Sequence, residues 1–130
     1  MTSYIVDSSA WIEYFDGSEK GAKVQKIIEA TDTTLFISAI TLSEMVSVSK
    51  RKKKSYSPRI HELLSSVAII KELTVSQAVN SGQIHAEARE SNKKISLSDA
   101  ILVSLSRELN CLIISTDSDF KQFPEAVVLS

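Results

Sequence analysis

The stretch "CLIISTDSDF", residues 111–120, decides how the chain is read. Cys111, Leu112, Ile113 and Ile114 are apolar in unbroken succession, and Ser115, Thr116, Asp117 and Asp119 follow. A short β-branched apolar run reads as a strand buried on both faces, the kind found inside parallel sheets. Such a strand has no packing reason to end in two carboxylates. The same arrangement recurs near the other end of the chain, where Tyr4, Ile5 and Val6 lead into Asp7, Ser8 and Ser9. One acid with a hydroxyl beside it is ordinary turn and helix-cap chemistry. Two of them at the ends of two apolar runs suggest one shared site.

Working outward, further strand-like runs are Leu35–Ile37, Val67–Ile70 and Ala126–Leu129. Between the runs lie segments with helical spacing. Val24, Ile27 and Ile28 mark one, and Ile40, Met45 and Val48 another, entered near Ser38. Ser57-Pro58 opens a third, with Pro suited to the first helical turn and Ile60, Leu63 and Leu64 on one face. A fourth, capped at Ser76, carries Val79, Ile84 and Ala88. The fifth starts at Ser96 or Ser98 and carries Ile101, Leu102, Leu105 and Leu109. Strand alternating with helix predicts an α/β domain with a mostly parallel sheet. In such sheets ligands bind beyond the carboxyl ends of the strands, and Asp7 and Asp117 fall there.

The bulk properties agree with a single domain spanning residues 1–130. With 43% hydrophobic and 24% charged residues the chain has an ordinary globular composition. No apolar run approaches the ~20 residues of a membrane span. No basic and then apolar leader is visible, so a cytoplasmic setting is expected. The single cysteine, Cys111, gives no disulfide framework and reads as a core residue. The formal net charge of −1 excludes a chain that is basic throughout. It hides a local polarity, because Lys50, Arg51, Lys52, Lys53 and Lys54 are consecutive.

Two more acids interrupt apolar segments: Glu44 in "ISAITLSEM" and Asp99 in "SLSDAILVSLS". Each has a plain alternative. Asp99 suits a helix N-terminus, where it would be worth ~0.3–1 kcal/mol, and Glu44 suits a solvated helix face. Taken together with Asp7 and Asp117, however, they form a set of carboxylates with no adjacent cation in sequence. Clustered carboxylates repel one another unless a cation neutralises them. Oxygen donors suit Mg²⁺ or Mn²⁺ and disfavour zinc. His61 and His85 have no paired ligand spacing. A Mg²⁺ ion held by a few carboxylates commonly meets a phosphate substrate. The three glycines, Gly17, Gly21 and Gly82, form no phosphate loop, and no GxSxG elbow is present.

"YIVDSSAWIEYF" (4–15), "ISAITLSEM" (37–45) and "SLSDAILVSLSRELNCLIISTDSDF" (96–120), in that order, resemble the PIN domain, and within it the VapC-type toxin ribonucleases of toxin–antitoxin pairs. The resemblance implies a Rossmann-like three-layer α/β/α sandwich and a Mg²⁺- or Mn²⁺-dependent endoribonuclease. It implies catalytic roles for Asp7, Glu44, Asp99 and Asp117, with Asp7, Asp99, Asp117 and Asp119 as the metal residues. It adds Ser8 and Ser115 as supporting hydroxyls and Phe120 as the aromatic that follows the acids. A cognate antitoxin and a homodimer are also implied. The chain departs from the family at Ser115, where Thr is usual, and at Ser104 and Ser106, where small apolar residues are usual and looser helix packing is expected.

The run Lys50 to Lys54 reads either as a solvated helix end or as an RNA-binding, phosphate-tracking patch. A continuous helix would set Lys52 ~12 Å from Glu44 along its axis, within reach of RNA crossing the acids. Tyr56 or Trp11 could stack a base, although a core or partner-facing place suits Trp11 better. The rival reading is a non-catalytic module that binds RNA or protein on the same fold. A phosphatase or phosphoreceiver ranks third, because "VDSSAW" offers one acid and no lysine.

Overall fold

Alternation of strand and helix runs the length of the computed structural model, which describes residues 2–130. The strands are β1 (Thr2–Val6), β2 (Thr33–Ser38), β3 (Ile69–Lys71), β4 (Leu112–Ser115) and β5 (Ala126–Val128). They form one sheet in the order β3-β2-β1-β4-β5, with every neighbouring pair parallel. The helices are α1 (Ser8–Asp16), α2 (Glu19–Ile28), α3 (Ala39–Arg51), α4 (Ile60–Val67), α5 (Val75–Glu90) and α6 (Leu97–Leu109). Short 3-10 turns cover Ser57–Arg59 and Ser118–Gln122.

Successive strand residues point to opposite faces of the sheet, so a central strand must be apolar at every position. Ile5 and Ile113 enter one core with Ile84, Leu102 and Leu105 from α5 and α6. Val6 and Ile114 enter a second core with Trp11, Val24, Met45 and Leu64 from α1 to α4. Two cores on two sheet faces make the predicted three-layer α/β/α sandwich. The chain leaves β1 for β2 on one side and returns to β4 on the other. A crevice therefore opens at the carboxyl ends of β1 and β4, beside the switch in strand order.

Several local expectations change. "SSAWIEYFD" is a helix that its aromatic-rich pattern did not announce; Asp7 caps it and Gly17 closes it in the left-handed conformation (φ 68°). Trp11 is fully buried, so it stacks on no base. Val67 ends α4, and β3 begins only at Ile69. Thr74 caps α5 in place of Ser76, because Gln77 completes a reciprocal capping box with it. Val79 is then turned outward, 59% exposed, while Ile84 and Ala88 are buried. Ser104 and Ser106 do not loosen α6, because Ser104 accepts from Asn80 Nδ2 and Ser106 donates to the Cys111 carbonyl. Cys111 lies in the core, and burial pushes its thiol up to about 11, far from nucleophilic use.

Glycine marks one close approach. A Cβ on Gly21 would stand 2.0 Å from the Glu13 carbonyl oxygen, so α1 and α2 meet backbone to backbone. Gly82 has open space around it in mid-helix. Gly21→Ala should lower stability by ~1–3 kcal/mol through overpacking. Gly82→Ala should raise it by ~0.5–1 kcal/mol through helix propensity. Urea melts of the two variants check both signs; equal midpoints would contradict the α1–α2 contact.

Candidate active site

Asp7 stands at the end of β1, where its backbone N–H donates to the Ile114 carbonyl of β4 across the crevice. Its side chain is 5% exposed. Oδ1 accepts from the Ser8 backbone N–H at 2.8 Å. Oδ2 accepts from the Ser9 hydroxyl at 2.8 Å and the Ser115 hydroxyl at 2.9 Å. Ser115 in turn accepts the Asp117 N–H at 3.0 Å, and Asp117 Oδ1 accepts the Asp119 N–H at 2.9 Å. Ser9 accepts the Thr116 N–H at 3.1 Å. The two strand ends are therefore joined by one hydrogen-bonded chain from residue 7 to residue 119. The hydroxyl expected from Ser8 is supplied by Ser9, and Ser8 contributes its N–H. Ser115 keeps the expected hydroxyl role without the β-branch of Thr.

The other two acids arrive on helices. Glu44 is half-buried on α3 and faces the hydroxyl of Ser98. Asp99 sits at the start of α6, in a reciprocal capping box with Ser96: Ser96 Oγ accepts from the Asp99 N–H, and Asp99 Oδ2 accepts from the Ser96 N–H. The carboxylate that closes this capping box also lines the cleft. Asp7, Glu44, Asp99, Asp117 and Asp119 all line one cleft of 510 Å³. A liquid water occupies ~30 Å³, so there is room for an ion with retained waters and for part of a larger ligand.

The electrostatics record how close these groups are. Burial is the main cause that raises the Asp7 carboxyl above the usual range; three hydrogen bonds oppose it, and Asp117 adds to it. Burial also raises Glu44, helped by the charges of Asp7 and Asp99 and opposed by Ser98. Asp99 is raised by burial and by Asp7 and Asp117, against its bonds to Ser96. These acids hold excess negative charge that a proton or a cation would relieve.

The donor set contains oxygen ligands and neither His nor Cys, which fits a hard divalent cation. Among the described residues, no three His, Cys, Asp or Glu side chains are close enough together to hold an ion as they stand. The cleft therefore matches such a cation in donor type and charge, without a closed ligand cage.

The cationic run falls into two parts. Lys50 and Arg51 finish α3, and Lys52 caps it. Lys53 takes a left-handed conformation (φ 51°) that turns the chain back. Lys54 is then pinned, with Nζ 3.0 Å from Asp16 Oδ2, while the Tyr56 hydroxyl donates to Asp16 Oδ1 at 3.0 Å. Tyr56 also stacks on Phe15, and burial with Asp16 pushes its hydroxyl up to about 12. Lys54 and Tyr56 are thus already engaged within the fold. Arg51 instead lines a groove with Ser47 and Val48 that shares Ser8, Ile12 and Glu44 with the acid cleft. Arg89 and Lys94 also line the cleft, which no motif of the chain announces. Their only signal was "EARESNKK", a mixed-charge stretch just ahead of the Asp99 motif. His61 and His85 line neither the cleft nor the groove.

The family profile of the PIN domain matches residues 4–126. The fold is similar to that of a toxin–antitoxin complex from Klebsiella pneumoniae, with 24% identity, 96% of each chain covered and a TM-score of 0.75. It is similar to VapBC2 from Rickettsia felis bound to a promoter DNA fragment, with 19% identity, 98% and 97% covered and a TM-score of 0.76. It is also similar to the sarcin–ricin-loop-cleaving toxin VapC20 of Mycobacterium tuberculosis, with 17% identity, 93% and 95% covered and a TM-score of 0.75. No curated protein matches the chain by sequence. No helix among the described residues is long and apolar enough to cross a membrane.

The raised carboxyls of Asp7, Glu44 and Asp99 fix the sign of a pH effect. A raised carboxyl takes up its proton more readily in the folded chain than in the unfolded one. Its contribution to stability therefore grows as pH falls from neutrality toward the ordinary carboxylate range. In chelator, the protein should melt higher at about pH 5.5 than at about pH 7.5, and Asp99→Asn should shrink that difference. Asn retains an oxygen for the Ser96 N–H, whereas Asp99→Ala loses the capping bond, at ~1 kcal/mol. Equal pH responses in wild type and Asp99→Asn would remove Asp99 from the charged cluster.

Proposed function

The chain belongs to the PIN domain family, and we propose that it is a Mg²⁺- or Mn²⁺-dependent endoribonuclease, the toxin of a toxin–antitoxin pair. The observation that carries this reading is the meeting of five carboxylates, from two strand ends and two helices, in one cleft at the switch point of the sheet. Asp7, Asp99 and Asp117 would hold the cation, with Asp119 beside them. Such an ion supplies an activated water and charge stabilisation to a phosphodiester undergoing in-line displacement. The protein's own contribution is positioning. Ser9 and Ser115 fix one oxygen of Asp7, and the same Ser115 hydroxyl orients the Asp117 backbone. Glu44, with its carboxyl raised by burial, holds a proton more readily than an exposed glutamate and lies where it can exchange one with substrate.

The neighbouring folds include toxin–antitoxin complexes, which supports a cognate antitoxin as partner. The homodimer rests on the family resemblance, and the cytoplasmic setting on the sequence reading. RNA as substrate rests on the family and on the cations at the end of α3, where Lys50, Arg51, Lys52 and Lys53 are exposed and form no ion pair among the described residues; Arg51 Nε donates to the Ser47 hydroxyl at 3.2 Å and keeps the rest of its guanidinium for a phosphate. Lys54 is held by Asp16 and is assigned to the fold.

Cleavage of single-stranded RNA should require Mg²⁺ or Mn²⁺, stop with chelator, and leave 5′-phosphate and 3′-hydroxyl ends. Asp7→Asn should abolish it while the protein stays folded. Products ending in 2′,3′-cyclic phosphate would overturn the mechanism, because they require attack by the RNA's own 2′-hydroxyl. Wild type that binds RNA but takes up no Mn²⁺ by calorimetry would leave the non-catalytic binding module as the reading. Neutralising Lys50, Arg51, Lys52 or Lys53 should flatten the log–log salt dependence of RNA binding by about 0.7 per residue. Lys54→Gln should leave that slope unchanged and lower the melting temperature.

A further inference from the structure

Arg89 and Lys94 line the same cleft as five carboxylates, yet neither forms an ion pair among the described residues. Cations that served only to neutralise the acids would be expected to close on them. These two stay exposed, with their charge available.

Their placement is built into the fold. α5 ends in a turn where the Ser91, Asn92 and Lys93 N–H groups return to the last carbonyls of the helix, and Asn92 adopts the left-handed conformation (φ 58°). Ile95, 4% exposed, anchors the chain immediately after Lys94. The Gln122 side-chain amide donates both to the Lys94 carbonyl at 3.2 Å and to the Asp119 carbonyl at 2.6 Å. The backbone of Lys94 is thereby tied to the turn that carries Asp119. Arg89 and Lys94 belong to the α5–α6 layer, whereas Arg51 belongs to α3 in the layer across the sheet. The acid cleft carries the first set on its lining and meets the groove of Arg51 at Ser8, Ile12 and Glu44.

We propose that Arg89 and Lys94 form a second phosphate-binding site, opposite Arg51, so that a single RNA strand is held on both sides of the bond at the carboxylates. This rests on the ribonuclease reading and adds a path for the substrate. A polyanion entering a cleft with five acids meets repulsion over the middle of its track. Fixed cations at both ends hold the flanking phosphates without occupying the metal-binding oxygens.

The test compares Arg89→Gln/Lys94→Gln with Lys93→Gln/Lys121→Gln, a control that removes the same charge from residues outside the cleft. Binding of a single-stranded RNA oligonucleotide is measured in chelator across a range of salt, and cleavage is measured separately with Mg²⁺. The Arg89/Lys94 variant should lose about 1.4 in log–log slope. If the two lines meet near 1 M salt, that is roughly a twenty-five-fold loss of affinity at about 0.1 M. The control should lose far less, and both variants should bind Mn²⁺ as wild type does. An unchanged slope in the Arg89/Lys94 variant, while wild type binds and cleaves, overturns the proposal alone. Unchanged RNA affinity with tighter Mn²⁺ binding identifies the pair as internal counter-charges and also overturns it. Wild type that binds RNA with the predicted slope difference but cleaves nothing overturns the ribonuclease reading and retains the binding site. Wild type that binds no RNA overturns both.

Discussion

The carboxyl edge of the sheet is organised around a single buried carboxylate. Asp7 accepts three hydrogen bonds, two of them from hydroxyls, and the one from Ser115 spans 108 residues of chain. Hydrogen bonds to a charged group are worth ~1.5–3 kcal/mol each. Three of them offset most of the several kcal/mol that desolvating a carboxylate costs. They do not offset all of it, since the carboxyl remains raised, with burial as the leading cause. The same bonds fix the ends of β1 and β4 relative to each other. If Asp7 were apolar, Ser9 and Ser115 would lose their common acceptor, and the turn carrying Asp117 and Asp119 would lose its anchor.

Charge is distributed around that carboxylate in a definite order. Glu44 and Asp99 approach it on helices from the two layers, and both are raised partly by its field. Asp99 also completes the capping box of α6, so helix geometry holds it at the cleft whatever its neighbours repel. Asp7 and Asp99 therefore cannot move apart without breaking the hydrogen bonds of a strand end or a helix start. Their mutual repulsion is retained in the fold, and a cation that binds there stabilises the folded chain by linkage.

Much of this arrangement was legible in the sequence because acids that interrupt apolar runs are conspicuous. Asp7 and Asp117 announced the strand ends, and the alternation of runs gave the sandwich. Ser38 was recognisable as a cap because it precedes an apolar-periodic segment, whereas Ser96 and Ser98 were equal candidates until the capping box with Asp99 decided for Ser96. What the sequence concealed depends on tertiary placement. Ser9 could not be told from Ser8, since the choice rests on how α1 leaves β1. Lys54 could not be separated from its neighbours, because its partner Asp16 lies 38 residues earlier. Val79 misled because α5 is capped two residues earlier than the pattern suggested and its apolar residues fall on both faces. Arg89 and Lys94 were invisible for the same kind of reason, since only the packing of α5 and its turn against the strand ends brings them to Asp7, Glu44 and Asp117.

A net charge of −1 thus conceals a local segregation: five carboxylates gather in one cleft, with Arg89 and Lys94 on its lining and Lys50 to Lys53 at the end of α3. On the proposed reading this segregation has a thermodynamic consequence. A metal ion that neutralises the carboxylates lowers the repulsion felt by a phosphate strand, so it raises the affinity for RNA. Reciprocity then requires bound RNA to raise the affinity for the metal by the same factor. The flanking cations bear directly on the first of these equilibria, because they hold phosphates and supply no oxygen to the metal. The acids set the coupling between ion and substrate, and the cations on either side set how tightly the strand is held before the ion arrives.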